Sequence, residues 1–259
     1  GDVLIPKGAT INPAHIALAA AGNHAVLPIF RRVRVGILAS GDELRPIGSD
    51  LEPGQIINSN MAALKALITH WGGVPIDLGI AQDNLESIAA CIETASNADI
   101  IVPIGGASVG DYDFMKEAFA LAGFDTLFKK IAVRPGKPTW LAKRGAQCVL
   151  GLPGNPASAM VCAHLFLKPL IGSQEPSLAL AKLGKPLSAN GPRETYLRAR
   201  LHIGTDGGLA VTPFPKQDSS LITPFVQSTA LIKLPPNAGP WQEGERVECM
   251  PLGAGPDIL

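Results

Sequence analysis

Residues 98–123, "ADIIVPIGGASVGDYDFMKEAFALAG", change character halfway along. The first part is an almost unbroken apolar run, Ile100, Ile101, Val102 and Ile104, as expected of a strand with both faces covered, where neither side of the pleat can carry polar groups. It ends at Gly105 and Gly106. Beyond the glycines Phe114, Met115, Ala118 and Phe119 recur at helical spacing, with acidic residues at the start and Gly123 at the end. A strand, a small-residue turn and a helix form the unit from which parallel α/β sheets are built.

The same alternation extends to both sides. Upstream, "VRVGILAS" predicts a strand, "NSNMAALKALITHWGG" a helix capped near Asn58 or Ser59, "VPIDLGI" a strand and "NLESIAACIETA" a helix. Downstream, "TLFKKIAV", "PTWLAK" and "QCVLGLP" predict further strands, closed by the helix "NPASAMVCAHLFLKPLIG". Residues 33–172 are therefore expected to be a three-layer α/β domain with a mostly parallel sheet. Residues 1–32 hold a short helix opened by Asn12 and Pro13 and are too few for a domain. After residue 172, "SQEPSLALAKLGKP" is expected to be a linker. Then "TYLRARLHI", "GLAVTPF", "TALIKLPP" and "ERVECMPL", parted by Gly, Pro and Asn, predict a small antiparallel all-β domain within residues 173–259.

Composition limits the function. Twenty-two basic and 22 acidic residues cancel, so no global charge favours nucleic acid or an anionic membrane, and an anion site has to be built locally. No apolar run is long enough for a membrane-spanning helix. The four cysteines, Cys91, Cys148, Cys162 and Cys249, are far apart with no metal-ligand spacing, as expected of buried thiols in the cytoplasm. The five histidines show no metal spacing either, no serine lies in a GxSxG elbow, and "GGASVG" lacks the Gly-Lys-Ser/Thr ending of a P-loop.

Polar residues collect where the strands of such a sheet would end, on the rim where open parallel sheets bind ligands. "SGDEL" carries Asp42 and Glu43, "GIAQDN" carries Asp83, "VRPGKP" carries Arg134 and Lys137, and "GLPGNPAS" carries Pro153, Asn155, Pro156 and Ser158. For the opening stretch two readings stay open. Small residues and helix-start N–H groups suit a phosphate, whereas Asp111 and Asp113 can complement the helix dipole with no ligand present. Taken one at a time, "GDEL", "RPGKP" and "GLPGNP" are ordinary polar turns, the last with Asn155 capping and Pro156 opening a helix. Gathered on one rim, Glu43, Asp83, Asp111 and Asp113 beside a phosphate call for a hard cation such as magnesium, and Arg134 with Lys137 would clamp an oxyanion.

Taken in order, "SGDEL", "GQIINSN", "GGASVGDYDF", "VRPGKP" and "GLPGNPAS" resemble the molybdopterin molybdenumtransferase family, MoeA, which includes the E domain of gephyrin. The resemblance implies a MogA-like molybdopterin-binding fold followed by a small β domain. It implies an enzyme that inserts molybdate into adenylylated molybdopterin with Mg2+, releasing AMP. It places acidic site residues on Glu43, Asp83 and Asp113, with Glu43 and Asp83 toward the metal, and basic ones on Lys130, Arg134 and Lys137. Arg134 stands where the family usually has Lys. Pro153 and Pro156 would shape the wall, and Gly105, Gly106, Ser108, Asn155, Ser158, Arg193 and Ser219 would complete the binding surface. The resemblance also implies a cytoplasmic homodimer, an adenylyltransferase as a further partner, and a long N-terminal region of which residues 1–32 would be a remnant. The related molybdopterin adenylyltransferase, or a scaffold or binding module without turnover, is the alternative; the β domain after residue 172 favours the transferase.

Overall fold

The computed structural model describes residues 2–105, 113–172 and 177–253. The chain forms two compact units, residues 1–32 and 33–259. In the first, Pro13 opens helix α1 (Pro13–Ala21) and the Asn12 side chain accepts the His15 N–H at 3.0 Å.

The second unit begins with β1 (Arg34–Ser40), a short ribbon of β2 (Leu44–Arg45) and β3 (Ile56–Ile57), α2 (Ser59–His70), β4 (Val74–Ala81), α3 (Leu85–Thr94), β5 (Ile100–Gly105) and α4 (Phe114–Leu121). Side chains of Asn58, Asn84 and Asp113 accept N–H groups in the first turns of α2, α3 and α4, relieving donors that have no partner within the helix. β6 (Asp125–Phe128), β7 (Val133–Arg134), β8 (Trp140–Arg144) and β9 (Gln147–Gly151) follow. The main sheet has the order β4-β1-β5-β9-β8-β6. Pairings are parallel from β4 to β9 and antiparallel at β8 and β6.

Residue alternation explains the continuous apolar strands. Val35, Ile37 and Ala39 of β1, with Ile100, Val102 and Ile104 of β5, pack on the face covered by α2. Leu38 and Ile101 pack on the opposite face with Ile88, Ile92, Met115 and Phe119 of α3 and α4. Each such side chain taken fully out of water contributes roughly 1.5–3 kcal/mol, so both faces hold the strand ends in place.

The expected closing helix is α5 (Pro156–Cys162), a π-helical stretch (Ala163–Leu167) and α6 (Lys168–Gly172). Then β10 (Ala179–Leu183), β11 (Glu194–Ile203), β12 (Leu209–Pro213), α7 (Thr223–Val226), β13 (Ala230–Leu234) and β14 (Arg246–Pro251) complete the fold. The order β12-β10-β14-β13-β11, with β11 also paired to β12, closes a small barrel to which β7 adds beside β11.

Three sequence expectations change. The expected linker contains β10, whose inward Ala181 and Leu183 join the barrel core; the inward alanines gave a weak pattern. "TLFKKIAV" divides, its end leaving the main sheet to pair as β7 with β11. The barrel is not purely antiparallel, because β10–β12 and β7–β11 are parallel. Val161 of α5 and Leu165 of its π-helical extension pack with Tyr196, Leu231 and Met250 of the barrel, fastening the two sheets together.

Candidate active site

The loops leaving the carboxyl ends of β1, β4, β5 and β9 meet the barrel around a cavity of about 1310 Å³. From the β1 and β4 ends come Glu43 and Asp83, and from β5 comes Gly105. The β9 end supplies Pro153, Asn155, Pro156 and Ser158, the last only 4% exposed. Arg134 and Lys137 enter from the β7–β8 turn, and Arg193 and Ser219 from the barrel. Because Val133 and Arg134 pair in register with Glu194 and Thr195, the cationic residues gather where β7 meets β11. The carboxylates gather at the β4–β1 end of the sheet.

Local contacts explain the placement. The Ser40 hydroxyl donates to an Asp83 carboxylate oxygen, and the Asp83 N–H donates to the Asp42 carboxylate at 3.2 Å, tying the loops after β1 and β4. Gly105 has φ +95°, and a Cβ there would come within 2.6 Å of the Ser40 carbonyl oxygen, so only glycine lets β5 end this close to β1.

Behind the basic turn lies Cys162. Gly136 has φ +129°, and a Cβ on it would lie 2.3 Å from the Cys162 Sγ. The Thr139 hydroxyl donates to that sulfur at 3.2 Å. Burial pushes the thiol up to about 12, against the opposing effect of the Thr139 hydrogen bond. Cys162 is therefore a packed thiol that backs the Arg134–Lys137 turn and stays protonated.

Asn155 occupies the position before α5, but its side chain does not cap that helix. Its amide donates to the Ser219 hydroxyl at 3.1 Å, while the Ala157 N–H donates to the Ser219 carbonyl at 3.0 Å. The expected cap is thus replaced by a link to the barrel.

Two sequence-derived site residues stand outside the cavity lining. The Asp113 carboxylate accepts the Lys116 N–H at 3.1 Å and pairs with the Lys116 Nζ at 2.7 Å, which is the helix-start role weighed for it from sequence. Lys130 is exposed before β7 and does not line the cavity. Gly106, Ser108 and Asp111 lie outside the described residues.

The cavity also gathers residues that sequence reasoning did not select, among them Asn60, Asn190, Gln217 and Asp218. The Asn60 amide donates to the Gly154 carbonyl at 2.7 Å, and the Asn190 amide to the Arg193 carbonyl at 2.8 Å. For Asn60, Gln217 and Asp218 the polar runs "NSN" and "KQDSS" were the available signals. A second cavity, of about 990 Å³, borders Asp42, Arg45, Lys65 and Asp77. There Lys65 pairs with Asp77 at 2.5 Å, and its hydrogen bond holds the Asp77 carboxyl below the usual range despite partial burial.

Among the described residues no helix is long and apolar enough to cross a membrane. Residues 36–173 match a family described as a probable molybdopterin binding domain, and residues 180–252 match the MoeA C-terminal region (domain IV). The chain is 35% identical over 257 residues to a molybdopterin molybdenumtransferase of Bacillus subtilis, covering 96% of this chain and 60% of that protein. It is 38% identical over 214 residues to one of Nostoc, covering 78% of this chain and 49% of that protein. A molybdopterin biosynthesis MoeA protein of Pyrococcus horikoshii superposes with a TM-score of 0.82 at 29% identity, covering 98% of this chain and 63% of that one. The chain thus spans between half and two thirds of the length of these relatives.

Proposed function

Because the chain belongs to the MoeA family, we propose that it inserts molybdate into adenylylated molybdopterin with release of AMP, in molybdenum cofactor biosynthesis. The observation that carries this reading is one cavity shared by the carboxylates Glu43 and Asp83 and the cations Arg134, Lys137 and Arg193. A tetrahedral oxyanion and a phosphoanhydride both need fixed positive charge and hydrogen-bond donors. Arg134, Lys137 and Arg193 supply the charge, and Ser158 and Ser219 supply hydroxyl groups.

The residues fit Mg2+. Among the described residues no group of three or more His, Cys, Asp or Glu could hold a metal, and magnesium is commonly held by one or two carboxylates with substrate phosphates and water completing its shell. Glu43 and Asp83 would provide those carboxylates, and the ion would neutralise charge on the phosphoanhydride as AMP departs. Ser40 orients Asp83 by its hydrogen bond. The Arg134–Lys137 turn, backed by Cys162, holds the oxyanion, and Arg134 offers a planar fork where a lysine would offer a point charge. Asp113 and Lys130 have no assigned part in this scheme. The working form is proposed to be a cytoplasmic homodimer, supplied with substrate by an adenylyltransferase.

The test is molybdate-dependent AMP release from adenylylated molybdopterin in the presence of magnesium. Asp83→Asn is expected to lower release at least tenfold with an unchanged melting temperature. Release at the wild-type rate would remove Asp83 from the mechanism, and no molybdate-dependent release by the wild-type protein would reject the function.

A further inference from the structure

Arg198 is 1% exposed and, among the described residues, heads the fully buried side chains by size. It lies on β11 with its side chain on the face opposite the barrel core residues Ala199 and Leu201, against residues 214–221 between β12 and α7, among which Gln217, Asp218 and Ser219 line the cavity. One guanidinium nitrogen donates to the Leu221 carbonyl at 2.6 Å, the other to the Asp218 carbonyl at 2.8 Å, and Nε to the Gln217 side-chain oxygen at 3.3 Å. Gln217 returns the grip, donating from its amide to the Arg198 carbonyl at 2.9 Å and the Phe214 carbonyl at 2.8 Å. The Asp218 carboxylate is turned to the Ser220 N–H and hydroxyl, both at 2.8 Å. The buried cation thus has only neutral hydrogen-bond acceptors, while the Asp218 carboxylate acts on it through charge alone.

Such an arrangement is a poor device for stability alone, since desolvating a guanidinium is costly and an apolar side chain of similar volume often serves as well. What the rigid fork adds is geometry: two carbonyls three residues apart are fixed to one strand. The same segment carries Ser219, whose carbonyl and hydroxyl receive the Ala157 N–H and the Asn155 amide at the start of α5.

We propose that Arg198 is a positioning residue, which by gripping Gln217, Asp218 and Leu221 from the outer face of β11 sets Ser219 against α5 and fixes the barrel-side wall of the cavity for an oxyanion ligand. This rests on the reading of the cavity as a molybdate site. Asp218 and Leu221 are exposed residues, so water can satisfy their carbonyls once the fork is removed, and the segment is released without collapse of the core.

The experiment compares wild type, Arg198→Met, Ser219→Ala and the double variant. Ligand-free amide exchange should show the Ala157 N–H at least tenfold faster in Arg198→Met, with amides of β1 and β5 unchanged. Calorimetric titration with molybdate should show each single variant at least tenfold weaker and the double variant no weaker than either, because Arg198 acts through Ser219. Unchanged exchange at Ala157, equal acceleration in β1 and β5, or additive losses of affinity would overturn the proposal. Should Arg198→Met not fold, Arg198→Lys, which keeps the charge without the fork, is read the same way. If wild type takes up no molybdate, the molybdate reading fails on its own, while the exchange data still decide whether Arg198 holds the segment.

Discussion

On the α/β bank of the cavity, Glu43, Asp83 and Asn155 follow the carboxyl ends of parallel strands, and a core packed on both faces of the sheet fixes where those ends lie. On the barrel bank, Ser219 rides on a segment held by one buried arginine and one glutamine. The first bank gets its precision from many interchangeable apolar contacts. The second depends on a few directional ones. Damage to the packing that sets the strand ends of the α/β bank should therefore register as lost stability together with lost activity, whereas damage to the contacts that hold the barrel bank should register mainly as lost geometry.

The strongest challenge to this contrast is Gly105→Ala. A methyl group within 2.6 Å of the Ser40 carbonyl oxygen at φ +95° meets backbone and not a side chain that could turn aside, so denaturant unfolding should show a loss of more than about 2 kcal/mol. AMP release should fall with it; near-wild-type stability would mean that the strand ends are less firmly set than the packing implies.

His164 probes the junction between the banks, since it lies in the π-helical stretch that carries Leu165 onto the barrel. It is 4% exposed and edge-on to Trp71 at 5.1 Å. Burial, reinforced by the positive charges of Lys168 and His70, lowers its pKa from 6.5 to about 3. The unfolded chain binds this proton first as pH falls, so the folded state is fully favoured above pH 6.5 and loses stability from there toward pH 3. Unfolding free energy measured between pH 6.5 and about 5 should fall by at most about 1.4 kcal/mol per pH unit. His164→Leu should abolish that part of the slope.

Asp113→Ala sharpens the comparison within the α/β domain. Removing the cap of α4 should cost about 1 kcal/mol and leave AMP release near wild type, opposite to the effect expected at Asp83. At the lower end, Lys65→Ala breaks a partly exposed ion pair beside the second cavity and should change stability by less than about 0.5 kcal/mol. A larger change would show that α2 and β4 rely on charge more than on packing.

The legibility of the molecule in its sequence divides along the same line. Apolar runs at 33–40 and 98–105 announce a covered parallel sheet, because residues at period two can all be apolar only when both faces are shielded. Rim turns follow from that sheet. β10 was hidden because Ala179 and Ala181 carry little hydrophobic signal, and β7 because its partner β11 is some sixty residues away. Asp83 and Asp113 both read as acidic rim residues, and only the fold separates the one on the cavity from the one engaged by Lys116.

By itself, then, the sequence determined the alternation of strands and helices, the turns that can approach an anion and the family to which the chain belongs, since these rest on local pattern and on motifs in order. Only the tertiary structure decided that Asn155 reaches Ser219 in place of capping α5, that Cys162 backs the basic turn, and that Arg198 holds the opposite wall. Those contacts join residues far apart in the chain, and a hydrogen bond at 3 Å leaves no periodic trace in the residues between its partners.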